Sequence, residues 1–156
     1  MLKTLKLLSL CMLVITFSCS KENNLIDNQA IIISSDGTQQ VMYQIGIADT
    51  KDKLYHGFMG KTEIPDNYGL LFDINLVPKD MDIAFWMKDT LISLDILFLD
   101  ENGKIFYIYE NAIPNDTTPI YPPKRPRAVL EINSGQVNQY GIKIGDILKT
   151  GFLGNQ

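Results

Sequence analysis

The side chains best suited to chemistry in this 156-residue chain are concentrated in one segment, residues 85–98. The segment holds the only tryptophan, three polar residues and an acid, namely Trp86, Lys88, Asp89, Thr90 and Asp95. A ring with a polar edge beside charged and hydroxyl anchors is typical of small-ligand sites. We therefore predict that this surface binds a small polar or carbohydrate-like ligand. The simpler alternative is that Trp86 is a core residue.

Three carboxylates are the other candidates. Asp95 and Glu131 each stand between two large apolar residues of a strand pattern, and Glu110 follows Tyr109 at the end of another. A buried carboxylate must be hydrogen-bonded, paired or protonated. Asp95 therefore either accepts hydrogen bonds from Lys88, Thr90 or backbone amides to fix a turn, or serves as a ligand-binding or catalytic acid. Convergence of all three would suit Ca²⁺, or an acid and base acting on a glycosidic bond.

Nucleophilic catalysis has few residues to support it. His56 is the only histidine, and the two cysteines, Cys11 and Cys19, both lie in the N-terminal segment. A Ser-His-Asp or Cys-His mechanism needs a histidine beside an activated nucleophile, and we expect His56 to be a surface or capping residue. We predict no metal site and no cofactor, and we expect binding rather than catalysis.

The N-terminal segment predicts export and lipidation. Lys3 and Lys6 precede an apolar run over residues 7–17 and a small residue, Ser18, which is typical of a secretory signal. Residues 15–19 resemble the lipobox of bacterial lipoproteins, in which the cysteine, here Cys19, is lipidated and becomes the new N-terminus. We predict a signal peptide over residues 1–18 and membrane attachment through Cys19 in the bacterial cell envelope, with the outer membrane favoured.

Composition narrows the remaining possibilities. Loss of the signal peptide changes the side-chain charge from −4 to −6, with 12 basic against 18 acidic groups. Phosphate binding needs clustered Lys and Arg, so we expect no nucleic-acid partner. We predict a flexible tether over residues 19–29 and a single β-rich domain over residues 30–156.

Short strand patterns separated by Gly and Pro turns dominate the domain. We predict a hairpin from residues 31–33 and 41–47, a second hairpin around Asn102 and Gly103, and a last strand pair over residues 128–132 and 147–152. A short helix is predicted at residues 50–58, with Asp49 or Thr50 as its N-cap and Gly57 near its end, and a helical turn at residues 136–140, stopped by Gly141. The fold class is therefore mainly β: a compact antiparallel β-sandwich or partly open β-barrel with one or two short helices.

Residues 85–98 also carry a family resemblance. They resemble the hallmark of the uncharacterised ACR family, known as domain of unknown function 192. Further family-like segments follow in the same order at residues 47–50, 57–59, 69–72, 129–135 and 141–146. The resemblance implies a compact, often exported β-rich domain and lends no established activity. Asp89 and Ser93 stand where the family usually has Asn and Pro, so no role that needs a neutral amide at position 89 is carried over.

Together these observations favour a non-catalytic envelope lipoprotein that binds a small polar ligand, a glycan or an envelope protein. One alternative is a hydrolase or lyase on envelope polysaccharide that uses Asp95 and Glu131 as acid and base. A second alternative is a structural or assembly factor, which would present an exposed apolar patch.

Overall fold

A computed structural model describes residues 28–154 of the chain. The predicted signal peptide, the predicted lipidation site Cys19 and nearly all of the predicted tether lie outside these residues. The strands and helices, in chain order, are β1 Gln29–Ile33, β2 Gln40–Ala48, α1 Lys51–His56, β3 Tyr68–Asp73, β4 Leu94–Leu99, β5 Ile105–Ala112, β6 Ala128–Asn133, α2 Gln136–Tyr140, β7 Ile147–Thr150 and α3 Gly151–Gly154.

The seven strands form one curled sheet, a half barrel, in the order β5-β4-β6-β3-β2-β1-β7. Its two edge strands meet at one end. There Lys104 pairs with Ile147, and the Leu148 amide donates a hydrogen bond of 2.8 Å to the Gly103 carbonyl. A Cβ at position 103 would overlap the Leu148 carbonyl oxygen, so this contact requires glycine. The predicted mainly β fold is confirmed, in the form of the partly open barrel.

One strand pair is parallel, which the sequence did not predict. β2 and β3 run side by side from the Gln44–Tyr68 pair to the Ala48–Phe72 pair, while the other neighbours are antiparallel. A parallel pair needs a crossover of a dozen or more residues, and the segment that contains α1 provides it. The carboxyl ends of β2 and β3 therefore lie at the same edge of the sheet.

Both faces of the sheet are covered. The face under α2, called here the α2 face, includes Leu97, Leu130 and Val137. The opposite face, called the α1 face, includes Ile96 and Val129, and it packs against residues that follow α1 and precede β4. β4 is buried along its whole length, and β6 along all but its last residue. Acids in these strands are therefore buried whichever face they point to.

Local signals located most of the turns. Thr50 caps α1 and Gly57 ends it, and Gly141 ends α2, as predicted. The β4–β5 connection differs from the expected two-residue turn at Asn102-Gly103, because only Gly103 has a positive φ, of 72°. Instead the Asp100 carboxylate accepts hydrogen bonds from the backbone amides of Asn102 and Lys104. The connection is therefore a longer loop than a two-residue turn.

The predicted last strand pair is wrong as a pair. β6 lies between β3 and β4 in the middle of the sheet, while β7 is the edge strand beside β1. β7 also ends at Thr150, where α3 begins. A hydrophobic pattern predicts a strand but not which strand pairs with it, because pairing depends on the packing of the whole sheet.

Candidate functional site

A cavity of about 520 Å³ opens on the α1 face, beside the carboxyl ends of β2 and β3. Its base is formed by the sheet through Phe72 and Glu131. One wall is α1 with the turn that follows it, and the opposite wall is the loop over residues 74–83. Its volume is within the usual range of small-molecule sites.

Glu131 is the buried acid of this cavity. It projects from β6 between its partners Leu70 on β3 and Ile96 on β4, both of which pack on the α1 face. The side chain is 5% exposed. Burial raises the pKa of Glu131 to about 8 and is the only influence on it, so no hydrogen bond or positive charge from the described residues compensates. At neutral pH Glu131 is therefore mostly a neutral carboxylic acid.

Gly57 gives the cavity its depth. Its φ of 48° and ψ of −124° suit glycine and strain other residues. A Cβ at this position would lie 3.2 Å from the Phe72 ring and 3.7 Å from Glu131 Oε2. The absent side chain therefore leaves the carboxyl group accessible from the cavity.

The mouth is aromatic and exposed. Trp86 is 44% exposed and meets Tyr55 of α1 edge to face, with ring centroids 6.5 Å apart. Met81 and Leu76 are also exposed and line the opposite wall. Trp86 is therefore a rim residue rather than the core residue of the simpler alternative.

The wall over residues 74–83 is held by an arginine from a distant loop. Arg125 donates hydrogen bonds to the carbonyls of Met81 at 2.8 Å and Val77 at 2.7 Å, with a longer one of 3.4 Å to Ile74. Because one guanidinium group offers five donors in a fixed plane, it connects three points of an otherwise irregular segment.

The remaining polar residues of the segment 85–98 have different positions. Thr90 is buried and lines the cavity, whereas Lys88 and Asp89 are not in its lining. Asp89 has a φ of 54° in a turn closed by the Thr90 amide and the Met87 carbonyl. Asn and Asp both tolerate this left-handed conformation. Asp89 therefore meets a backbone requirement that either Asn or Asp can satisfy.

Asp95 points away from the cavity. Its strand partner is Ile132, on the α2 face, and its side chain is fully buried. One carboxylate oxygen accepts the Asn111 amide at 2.9 Å and the other accepts the Val137 amide at 3.0 Å, in the first turn of α2. Of the partners considered from the sequence, Asp95 therefore has backbone amides and neither Lys88 nor Thr90.

The three carboxylates do not converge. Asp95 and Glu131 lie on opposite faces of the sheet, because side chains alternate between faces and the two residues occupy adjacent paired positions on β4 and β6. Glu110 is exposed and accepts a 2.6 Å hydrogen bond from Asn138 of α2. A shared acid and base site from Asp95 and Glu131 is thus excluded by geometry. Within residues 28–154, no group of three or more His, Cys, Asp or Glu side chains is placed to hold a metal ion.

Several cavity residues were not predicted from the sequence as site residues. The chief ones are Tyr55, Gly57, Phe72, Met81 and Phe85. Tyr55 could have been identified from the sequence, because an aromatic residue on a helix of only about two turns has little core to enter. Gly57 was visible in the sequence only as the end of that helix. His56 lies at the cavity, exposed as predicted, and its Nδ1 is 2.9 Å from the Asp52 carbonyl oxygen. No helix among the described residues is long and apolar enough to cross a membrane.

The family of the chain follows from its match to known sequences. The model of the DUF192 family, described as Uncharacterized ACR, matches residues 31–150. The chain belongs to the DUF192 family. The resemblance found in the sequence is confirmed, and the match includes every residue of the sheet except the first two of β1.

Two solved structures extend this comparison. A protein of unknown function from Novosphingobium aromaticivorans DSM 12444 is 32% identical, with a TM-score of 0.70 over 78% of this chain and 83% of that one. A protein from Sinorhizobium meliloti 1021, described as a candidate transcription regulator, is 28% identical, with a TM-score of 0.73 over 80% of this chain and 94% of that one. No curated protein matches the chain. This DUF192 protein therefore has a known fold and a family without an established activity.

Proposed function

We propose that this DUF192 protein is a binding domain that holds a small organic ligand in the α1-face cavity without transforming it. The observation that carries the proposal is a buried acid, Glu131, at the base of an aromatic-lined cavity of about 520 Å³. Small-molecule sites are typically apolar concavities with a few convergent polar groups.

The lining favours a ligand with an apolar body and one polar end. Phe58, Phe72, Ile74 and Phe85 supply apolar surface around Glu131. A sugar would bring many hydroxyl groups that need hydrogen-bond partners once buried. In place of the small polar or carbohydrate-like ligand expected from the sequence, we therefore propose a compact, mainly apolar molecule with one polar end.

The arrangement of acids supports binding over hydrolysis. Glycoside hydrolysis in most families needs two carboxyl groups within about 10 Å on either side of the scissile bond. Glu131 lies in the cavity and Asp95 on the opposite face of the sheet. The cavity therefore lacks the Asp95–Glu131 pair expected for the polysaccharide hydrolase, and its other carboxyl group, Asp82, is exposed in the loop wall.

A ligand screen followed by thermal unfolding tests this proposal. Ligand at about one hundred times its Kd adds about 2.7 kcal/mol of stability, or roughly 10 °C in a domain of this size. We expect a compound of this class to raise the Tm of the wild-type protein and to bind at least tenfold more weakly to Trp86→Ala. Tyr121→Ala, exposed and outside the cavity lining, is the matched control and should bind normally. No shift with any compound would contradict the proposal and turn attention to envelope proteins that dock on the exposed rim.

We further propose that the domain is anchored to the bacterial envelope through lipidated Cys19. Supporting this arrangement, β1 runs antiparallel to β2 from the Gln29–Gln44 pair. The described chain thus enters the sheet beside the middle of β2, from the direction of the carboxyl ends that carry the cavity. Eight residues lie between Cys19 and Asn28, a stretch that spans at most about 30 Å. An anchor at Cys19 would keep the cavity close to the membrane surface.

A further inference from the structure

We infer that the ligand of this cavity is a small organic amine, whose ammonium group pairs with the Glu131 carboxylate and whose aromatic or branched alkyl body fills the aromatic-lined space above it. This inference rests on the proposed function and names its ligand class.

The first argument is that Glu131 is buried without a hydrogen-bond donor or a positive charge of the described residues beside it. Its side chain is 5% exposed, and neither a hydrogen bond nor a positive charge of the described residues offsets its burial. An ammonium group supplies a positive charge and up to three N–H donors. An anionic ligand would oppose the ionisation of Glu131 and offer it no positive charge, and the lysine of the lining, Lys51, is exposed at the entrance. The ionised form of Glu131 therefore favours a cationic ligand.

The second argument is the material of the walls. Five aromatic side chains surround the space, namely Tyr55, Phe58, Phe72, Phe85 and Trp86. Phe72 and Phe85 meet edge to face with centroids 5.1 Å apart. Aromatic faces attract ammonium groups, and aromatic cages are a known means of amine recognition. The same surface accepts the apolar body of the ligand.

The third argument gives a signature in pH. Burial raises the pKa of Glu131 to about 8, so only about 1% of the empty sites are ionised at pH 6 and about half at pH 8. Apparent affinity scales with the fraction of the competent form. Because a strongly basic amine stays charged throughout, its affinity should rise about fiftyfold from pH 6 to pH 8.

The other titratable groups of the lining require one control. They are Lys51, Tyr55 and His56 on α1, Asp82 in the opposite loop, and no others among the described lining residues. All four are exposed. His56→Gln should leave the pH dependence intact, whereas Glu131→Gln should remove it.

Calorimetric titration of the full chain in non-ionic detergent tests the inference. The probes are benzylamine, phenethylamine and cyclohexylamine, each beside the alcohol of the same carbon skeleton, at pH 6 and pH 8. We expect at least one amine to bind at pH 8 at least tenfold more tightly than its alcohol, with release of about half a proton per site, because about half of the Glu131 side chains are protonated at that pH. Glu131→Gln should bind amine and alcohol alike, which also corrects for partition into detergent.

The outcomes separate the two proposals. Equal binding of amines and alcohols, amine affinity independent of pH, or unchanged amine binding in Glu131→Gln would each overturn the amine inference and leave a binding cavity in place. Failure of all amines in a protein that binds another compound of the wider screen would do the same. The comparison of amine with alcohol and the pH dependence both use the wild-type chain, so they hold even if the variant does not fold.

Discussion

Two acids with the same sequence pattern have opposite environments in this protein. Asp95 and Glu131 both interrupt apolar strands, and both are buried. Asp95 accepts hydrogen bonds from two backbone amides, one at each carboxylate oxygen. Glu131 has burial alone, which favours its neutral form. Both acids are therefore buried, but among the described residues only Asp95 has hydrogen-bond donors beside it. Asp95 thus stabilises the fold, whereas Glu131 is available to a ligand.

Glu131→Gln is predicted to change the pH dependence of stability. The folded-state pKa of about 8 lies above the ordinary value of 4.5, so the folded state binds more protons between these pH values and wild-type stability falls as pH rises. The glutamine of the variant cannot ionise, and we expect the variant to be more stable than wild type by about 4 kcal/mol at pH 8 and similar at pH 4.5. Urea unfolding at the two pH values measures this. Parallel curves for both proteins would contradict it.

Asp95→Asn is predicted to destabilise the fold by about 2–4 kcal/mol. The amide nitrogen of Asn would face either the Asn111 or the Val137 amide, so two donors would oppose each other in a buried site. Urea midpoints measure the loss. Glu110→Gln is the matched control and should stay within about 0.5 kcal/mol of wild type, because Glu110 is exposed and Gln keeps an acceptor for Asn138. Wild-type stability in Asp95→Asn would refute the structural role.

At the scale of elements, α1 and the loop over residues 74–83 make the cavity, and neither has much structure of its own. α1 has six residues and buries none of them. The loop is irregular apart from one 3-10 turn, Ile74–Leu76. Residues outside each element stabilise it. The capping residues Thr50 and Gly57 stabilise α1, and hydrogen bonds from Arg125 stabilise the loop. Changes at these supports should alter the cavity before they alter the sheet.

Gly57→Ala is predicted to reduce both stability and ligand binding. Alanine is strained at a φ of 48°, and its Cβ would occupy space beside Phe72 and Glu131. Gly60→Ala provides a matched control, because Gly60 has a φ of 72° with nothing within 4 Å of an added Cβ. We expect Gly60→Ala to cost about 1 kcal/mol with normal binding, and Gly57→Ala to cost more and to weaken binding. Thermal melts and ligand titrations distinguish them, and equal behaviour would contradict the contact argument.

Arg125→Ala is predicted to loosen the loop wall without unfolding the sheet. Amides of this wall, such as Val77 bonded to Ile74 and Met81 bonded to Pro78, should exchange with solvent at least tenfold faster. Amides of β4 should keep wild-type protection. Lys124→Ala, which removes only a cation–π contact 4.4 Å from the Phe106 ring centroid, is the control. Uniform acceleration across the whole domain would instead indicate a loss of global stability.

At the scale of the whole molecule, the curled sheet divides the protein into two separate environments. The α2 face is a packed core sealed by α2, whereas the α1 face opens into the cavity beside the parallel β2–β3 pair. Ligand sites in open α/β sheets likewise lie beyond the carboxyl ends of parallel strands. This DUF192 protein has a single such pair among its described strands, and its cavity lies there.

The proposed anchor belongs to the same scale. Cys19→Ser is predicted to move the protein from the membrane fraction to the soluble fraction of the bacterial envelope, because lipid chains supply about 0.8 kcal/mol per buried CH₂ group. Cell fractionation with immunoblotting measures the distribution, and Ser20→Ala is the matched control, which should remain with membranes. Membrane attachment of Cys19→Ser would contradict the lipoprotein proposal.

What the sequence alone determined was local. Period-two alternation identified the β1–β2 hairpin, Thr50 and Gly57 bounded α1, and Gly141 ended α2, because caps and alternation act between residues close in the chain. The family also followed from local motifs. Of the residues predicted from the sequence to form one binding surface, Trp86, Thr90 and Glu131 line the cavity, whereas Lys88, Asp89 and Asp95 do not.

Only the tertiary structure decided which residues meet. It placed β2 parallel to β3, separated β6 from β7, and put Asp95 and Glu131 on opposite faces. The physical reason is register: a shift of one residue between β4 and β6 would change which side chains share a face. Register depends on the packing of the whole sheet, which no local pattern in the sequence contains.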